Sequence, residues 1–291
     1  MTRPGEARAP IRLGYAGADV ARLLDLPETR LRSWVRSGFL SPGRGPDGEL
    51  RFTFQDLVVL RAAQELEAAG IPPRRIRRAL GRLAEQLPGG RSLAAVRIAA
   101  AGSEIVVRDG TETWNPESGQ RVFDFAVAEI AVRAAPLAHR AAERARASDD
   151  LSAEQWYGLG WELEATVPDE AERAYRRALE LDPDHADARL NLGRLVHASG
   201  RLEEAEEAYL AALELRPGDP TALFDLGVVR QDRGRPWEAI EAYRQAVAAD
   251  PGFADAYFNL ASLYERLGKE PLAIQNLRRY RRLVGGRGRR G

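Results

Sequence analysis

Residues 217–250 read PGDPTALFDLGVVRQDRGRPWEAIEAYRQAVAAD, and the same pattern returns every 34 residues through the second half of the chain. Each period has the length and composition of two short helices. Neither helix can bury its apolar stripe alone, so stacking of successive units must supply the core. The recurring positions are Pro183, Pro217 and Pro251; Ala171, Ala205, Ala239 and Ala273; and Tyr175, Tyr209 and Tyr243.

A leucine-glycine pair precedes each alanine-tyrosine set, as at Leu192-Gly193, with the apolar Val196 one helical turn further on. The pattern resembles the tetratricopeptide repeat, and four copies cover about residues 153–284. The resemblance implies an α-solenoid with a concave groove that binds a protein or peptide, unless the helix at 126–147 fills it in cis. The groove residues that it implies are Tyr157, Trp161, Arg194, His197, Phe224 and Phe258.

Near the N-terminus, a helix over 18–24 and a second helix over about 28–37 are separated by a tight turn at Asp25-Leu26-Pro27. On a helical wheel, Leu31, Trp34 and Val35 share one side of the second helix. Short polar groups and arginines on the opposite side suit base edges and phosphates in a major groove, although an ordinary solvated helix face has the same composition. Those residues are Thr29, Arg32, Ser33 and Arg36.

The order of landmarks in this region resembles the MerR family of winged-helix regulators over about residues 15–86. The landmarks are VARLL (20–24), RLRSW (30–34), GFL (38–40), LRF (50–52), the FxDLVVLR pattern that ends at Arg61, and AGIPPRRI (69–76). The resemblance implies a fold with a wing and contacts to double-stranded DNA. It assigns those contacts to Arg32 and Trp34 on the recognition helix, Arg44 and Arg51 in the wing, and Arg74 and Arg75 at a helix start.

Two features depart from that family. Ser33 stands where the family has the first tyrosine of a pair, and Pro88-Gly89-Gly90 interrupts the chain where the family continues into a long dimerisation helix. The resemblance implies a homodimer, but the helix that forms it in the family is not expected here, so a homodimer and a monomer both stay open. Residues 91–125 predict a small antiparallel β meander that acts as a spacer, a ligand sensor or a pairing surface. The helix that follows, within 126–150, is expected to dock onto the first repeat or to dimerise.

Composition narrows the possible functions. The chain has no cysteine and only three histidines, so we expect no metal site, no cofactor and no catalytic residues, and therefore not an enzyme. No long apolar run or leader-like start is present, and we expect no membrane span and a cytoplasmic location. Residues 1–90 hold 15 arginines and 10 acidic residues, whereas 151–277 hold 24 acidic and 13 basic residues. Seven arginines follow in 278–291, where they either cap the solenoid with polar groups or attract nucleic acid.

The sequence thus predicts a mainly α protein with a winged helix-turn-helix head, a small antiparallel β insert and a tetratricopeptide solenoid. The leading hypothesis is a DNA-binding transcriptional regulator with a protein-interaction domain. The alternatives are an adaptor whose N-terminal helices bind protein, and an architectural DNA-binding protein. The expected boundaries are 12–87 for the head, 91–125 for the β insert, 126–150 for a linker helix, 151–285 for the repeats and 286–291 for a disordered basic tail.

Overall fold

The computed structural model describes residues 14–36, 40–45, 48–72, 74–76, 78, 80, 96–101, 104–109, 121–147 and 151–287. It divides into two compact units, Met1–Ala178 and Leu179–Gly291, each of which is described by itself. The first unit holds the head, the β insert and most of the first repeat. The architecture is mainly α, with winged helix-turn-helix, antiparallel β and tetratricopeptide parts as expected from the sequence.

The head is a small helical domain closed by a three-stranded antiparallel sheet of strand order β1-β3-β2. Tyr15 pairs with Phe52 across β1 and β3, and the Phe52 side chain is completely buried in the head core. Thr53 and Asp56 form a reciprocal capping box that starts α3. The elements are β1 (Tyr15–Ala16), α1 (Gly17–Leu24), α2 (Glu28–Arg36), β2 (Gly43–Arg44), β3 (Leu50–Phe52) and α3 (Phe54–Ala68).

The β insert contains three antiparallel strands, but it is not a meander. Its strands are β4 (Val96–Ala101), β5 (Glu104–Asp109) and β6 (Arg121–Ala126), and their order in the sheet is β5-β4-β6. The meander prediction was therefore wrong in topology, because β6 pairs with the first strand rather than with the second. Residues 110–120 separate β5 from β6, which leaves enough chain to reach the far edge of β4. Residues 110–120 lie outside the described part of the chain.

Helix α4 (Val127–Arg146) packs against the head and the β insert through a face made largely of small side chains, including Ala134, Ala138 and Ala142. Its Arg133 guanidinium donates a hydrogen bond to the carbonyl oxygen of Leu23 at the end of α1. The alanines allow close approach, so the helix covers α1, α3 and β1. The expected docking onto the first repeat involves the second half of α4, where Arg146 pairs with the buried Glu170 and His139 Nδ1 lies 3.9 Å from the same carboxylate.

A direct contact joins the head to the first repeat within the first unit. Helix α5 (Ala153–Leu163) brings the carboxylate of Glu162 to the start of α3, where its Oε2 accepts a hydrogen bond from the Phe54 backbone N–H at 2.8 Å. A negative charge at a helix N-terminus is stabilising, because it meets N–H groups that lack helical partners. Glu162 therefore completes the N-terminus of a helix that lies more than a hundred residues earlier in the chain.

Helix α6 (Pro168–Leu181) pairs with α5, because its Tyr175 ring lies against Gly160. The helices of the second unit stack as tetratricopeptide pairs, and they are α7 (Ala186–Ala198), α8 (Leu202–Leu215), α9 (Pro220–Asp232), α10 (Pro236–Ala249), α11 (Ala254–Arg266) and α12 (Glu270–Arg287). A Cβ built on Gly193 would lie 2.7 Å from the Tyr209 ring, and one built on Gly227 would lie 2.5 Å from the Tyr243 ring. Both rings are completely buried, so each glycine makes room for the tyrosine that closes its repeat.

Helix α12 extends to Arg287, beyond the start at 286 expected for a disordered tail. Residues 288–291 lie outside the described part of the chain. The Val284 side chain near the end of this helix is exposed. The other boundaries expected for the domains stay a prediction.

Candidate functional site

Helix α2 carries the residues that the sequence analysis predicts to contact DNA. Its Leu31 is buried in the head core and fixes the rotation of the helix. The side chains of Thr29, Arg32, Ser33 and Arg36 are exposed. The Arg32 guanidinium donates to Glu28 Oε2 at 3.2 Å, one helical turn away, and both side chains are more than half exposed. A pair of this kind contributes little to stability and can be exchanged for a phosphate or base contact.

Trp34 is half-buried on the same helix and supports Arg30, a residue that the sequence reading did not single out. The Arg30 guanidinium lies 5.8 Å from the centre of the Trp34 ring, and it also pairs with Glu67 of α3 at 2.7 Å. A cation over an indole face is an attractive arrangement. Trp34 and Arg30 together therefore tie α2 to α3. In this conformation the arrangement gives Trp34 a role in positioning the helix.

The two wing arginines differ in their surroundings. Arg44 of β2 is exposed, and its guanidinium donates to the Gly48 carbonyl oxygen at 2.7 Å across the wing turn. Arg51 of β3 is engaged inside the protein: its Nε donates to Glu49 Oε1 at 2.8 Å and an Nη donates to the Gly14 carbonyl oxygen at 3.2 Å. Only a fifth of the Arg51 side chain is exposed. Arg51 thus differs from an exposed wing contact to DNA, because its guanidinium ties β3 to Gly14, the residue before β1.

Arg74 and Arg75 are helical and exposed, as is Arg78 one turn later. The backbone N–H of Arg75 donates to the Pro72 carbonyl oxygen at 2.9 Å, which marks the first turn of this helix. Two exposed guanidinium groups at the start of a helix present positive charge to an approaching anion. The structure therefore places both side chains where a phosphate could approach them.

The hydroxyl group of Tyr15 is buried where the head contacts the first repeat. Burial raises the pKa of Tyr15 above its usual range, and the nearby Glu162 carboxylate raises it further, whereas the Thr166 hydroxyl lowers it somewhat. Among the described residues, the Tyr15 hydroxyl makes no hydrogen bond of good geometry. Tyr15 and Glu162 both belong to the contact between the head and the first repeat, and no sequence signal identified either residue.

The groove residues that the sequence proposes in the first unit are Tyr157 and Trp161. Both are half-buried on α5. The Tyr157 ring lies 5.8 Å from the ring of Tyr175, in a tilted contact with the tyrosine that closes the first repeat. Part of the Tyr157 surface is therefore used in packing the repeat itself.

In the second unit, several of the proposed groove residues also make internal contacts. His197 Nε2 lies 2.9 Å from Asp232 Oδ2, and Arg194 donates to Asn191 Oδ1 at 3.3 Å. The Phe224 ring lies 5.5 Å from Tyr243 and 5.1 Å from Phe253, and it packs on the buried cluster around Tyr243. Phe224 is only partly buried, so part of its ring packs between neighbouring helices, and its place in the groove stays a prediction.

Phe258 is the proposed groove residue that remains most open. Half of its side chain is exposed, and its ring lies 5.3 Å from Tyr280 of α12. An aromatic pair with one exposed face can accept a further apolar group. Within the described residues, Phe258 therefore has the surface that a bound peptide would need.

A charged cluster that the sequence reading missed joins α8 to α9 and α10. The carboxylate of Glu206 is almost buried and accepts hydrogen bonds from three guanidinium groups, those of Arg230, Arg233 and Arg235. Burial alone would raise the pKa of Glu206, but hydrogen bonds from Arg230, Arg235 and Arg233 outweigh it, and the pKa is lowered. The four residues are brought together only by stacking of the repeats, so no local pattern could have identified the cluster.

The described residues contain no group of histidine, cysteine, aspartate or glutamate side chains arranged to hold a metal ion. No helix within the described ranges is long and apolar enough to cross a membrane.

Comparison with known proteins agrees with these two architectures. The sequence model described as "MerR HTH family regulatory protein" matches residues 15–83, and the tetratricopeptide repeat model matches residues 162–220 and 224–287. The chain joins a MerR-type helix-turn-helix region to tetratricopeptide repeats. The repeats indicate a role in protein interaction.

Individual relatives match mainly the repeats. Tetratricopeptide repeat protein 8 of Caenorhabditis elegans is 35% identical over 83 residues, which are 28% of this chain and 14% of that protein's length. A crystal structure of MamA superposes with a TM-score of 0.49 at 24% identity, over 52% of this chain and 88% of that one. A structure of pilF from Pseudomonas aeruginosa gives 0.45 at 22% identity, over 50% and 69% of the two chains.

Proposed function

We propose that this protein is a DNA-binding transcriptional regulator whose repeats hold a protein partner. The proposal rests on the two faces of α2. One face is anchored by the buried Leu31, and the opposite face exposes Thr29, Arg32, Ser33 and Arg36. Arginine and short hydroxyl side chains on an exposed helix reach both base edges and phosphates. Arg32 and Arg36 would then read bases, and Thr29 and Ser33 would contact bases or backbone.

Arg44, Arg74 and Arg75 add three exposed guanidinium groups to the head. In this proposal they contact phosphates, which supply sequence-independent affinity and position the reading helix. Arg51 takes no direct part, since its guanidinium holds Glu49 and Gly14. The repeats would bring the partner protein to the bound site through Phe258 and the half-buried Tyr157, Trp161, Arg194 and His197.

The DNA proposal is tested with duplexes selected by the full chain from a random-sequence library. Arg32→Ala should weaken binding to the selected duplex by about 5- to 150-fold, corresponding to roughly 1–3 kcal/mol, and should reduce discrimination against other sequences. Arg74→Ala should weaken all duplexes similarly and reduce the salt dependence by about one phosphate contact. Arg266→Ala removes the same charge from an exposed position in the repeats and serves as the control.

Binding is measured by fluorescence anisotropy over a salt series, with circular dichroism to show that each variant is folded. The proposal fails if the folded wild-type chain retains no duplex at low salt. It fails equally if Arg32→Ala and Arg266→Ala bind alike.

A second candidate function is that of an adaptor whose head binds protein. The engagement of Arg51 favours it, since a guanidinium group held inside the protein does not contact DNA. In that case the selection yields no duplex, and capture of a partner depends on both the head and the repeats.

A further inference from the structure

The outer face of α12 is a stacking surface with nothing stacked on it among the described residues. Ile240 of α10 and Ile274 of α12 are one period apart and occupy equivalent positions in successive repeats. Ile240 is 4% exposed, because Leu260 and Tyr264 of the following repeat belong to the same buried cluster. Ile274 is 49% exposed. Isoleucine at the same position of the repeat is therefore buried in one repeat and exposed in the next.

A cleft of about 860 Å³ opens at this position. Its apolar lining includes Tyr257, Leu260 and Tyr264 of α11, together with Leu272 and Ile274 of α12. Leu272 and Ile274 are both more than two-fifths exposed. Exposed leucine and isoleucine side chains that line one cleft indicate a surface that binds another molecule.

The cleft is also strongly basic. Its lining includes four arginines and no acidic residue: Arg244, Arg278, Arg279 and Arg282. Arg244 has Glu241 at 3.6 Å. Arg278, Arg279 and Arg282 make no ion pair with any described residue. A solubilising cap would explain charge alone, but it would not explain arginines around exposed apolar side chains.

We propose that this cleft docks an acidic amphipathic helix of a partner protein. The site is distinct from the proposed groove, since neither Phe224 nor Phe258 lines it. A helix is the expected occupant because helix α11 of this same chain covers the equivalent face of α10. Its apolar residues, one helical turn apart, would pack on the exposed Leu272 and Ile274, and carboxylates beside them would pair with the arginines.

A second copy of the chain is a poorer occupant. In a two-fold symmetric dimer each surface meets its own copy, so Arg278, Arg279 and Arg282 would face the same residues of the other chain. Like charges placed opposite each other across an interface are costly. An acidic helix avoids this repulsion and neutralises the cleft.

The test uses a displayed library of amphipathic helical peptides in which the residues beside an invariant leucine stripe are acidic, neutral or basic. The full chain is the target. We expect acidic peptides to be enriched, and a selected peptide to bind Arg279→Glu/Arg282→Glu at least about tenfold more weakly in fluorescence anisotropy at low salt. Arg266→Glu reverses an exposed charge on α11 outside the cleft lining and should leave binding unchanged.

Ile274→Ser separates the apolar contribution from the charge. It should weaken the selected peptide while leaving the salt dependence of binding intact, and the exposure of Ile274 makes loss of folding an unexpected result. The proposal is overturned if no acidic peptide is enriched, or if the double reversal and Arg266→Glu have equal effects. It is also overturned if sedimentation shows a dimer that Ile274→Ser dissociates, because the cleft would then be a self-association surface. None of these outcomes depends on DNA binding by the head.

Discussion

Removal of the charge of Glu206 is expected to destabilise the repeats more than any comparable surface change. The Glu206 side chain is 8% exposed, and its Oε1 accepts a hydrogen bond from Arg230 Nε at 3.0 Å. Arg233 and Arg235 contact the other carboxylate oxygen. Glu206→Gln keeps the shape of the side chain but removes the buried charge that three guanidinium groups share. Arg233 then keeps only the exposed Glu203, and Arg230 and Arg235 keep only the half-exposed Glu238.

The magnitude follows from the burial of these groups. Removing one partner from a fully buried ion pair costs about 3–5 kcal/mol. The arginines here are 20%, 27% and 32% exposed, so water recovers part of the loss. We expect Glu206→Gln to lower the free energy of unfolding by about 2 kcal/mol. The control is Glu203→Gln, because Glu203 pairs with Arg233 at 2.9 Å but is 74% exposed, and its loss should cost under about 0.5 kcal/mol.

The pH dependence distinguishes lost charge from lost packing. The pKa of Glu206 is lowered in the folded state, so its contribution is fully present above the ordinary glutamate pKa of about 4.3 and is lost as the pH falls toward the folded value. The difference in stability between wild type and Glu206→Gln should therefore shrink as the pH falls below about 5.

Urea denaturation followed by far-UV circular dichroism measures the size of the effect. Hydrogen exchange by mass spectrometry should place the added exchange in α8, α9 and α10. The reasoning is refuted if Glu206→Gln costs no more than Glu203→Gln, or if the gap between wild type and Glu206→Gln stays constant into acid.

Two further predictions concern packing and the contact between the head and the first repeat. A Cβ on Gly227 would lie 2.5 Å from the buried Tyr243 ring, so Gly227→Ala should lower stability in thermal denaturation by about 1–3 kcal/mol. Gly158→Ala, in helix α5 with no atom within 4 Å, should instead gain up to about 1 kcal/mol, and equal effects would contradict the packing argument. Glu162→Gln weakens the charge at the Phe54 N–H and should cost about 0.5–1 kcal/mol, with faster hydrogen exchange at the start of α3. The exposed Glu143→Gln on α4 should change neither quantity, and unchanged exchange at α3 in Glu162→Gln would show that the contact is not formed.

The sequence by itself determined the repeat architecture and the order of the head elements. Both follow from the spacing of residues along the chain. Gly193 and Tyr209 are 16 positions apart, and they come into contact when the two short helices that carry them pack against each other. The polar and apolar sides of α2 likewise follow from helical periodicity, with Leu31 buried as the wheel requires.

Only the tertiary structure decided which of the candidate residues are engaged inside the protein. Arg51 meets Glu49 and Gly14, and Glu162 reaches Phe54 across 108 positions of sequence. The β insert shows the same limit, since alternation identifies strands but not which edge of β4 the last one joins. Ile240 and Ile274 show the physical reason, because they occupy the same position of the repeat and yet one is buried and the other is exposed. Burial depends on whether another helix covers the residue, and the local sequence does not specify that helix.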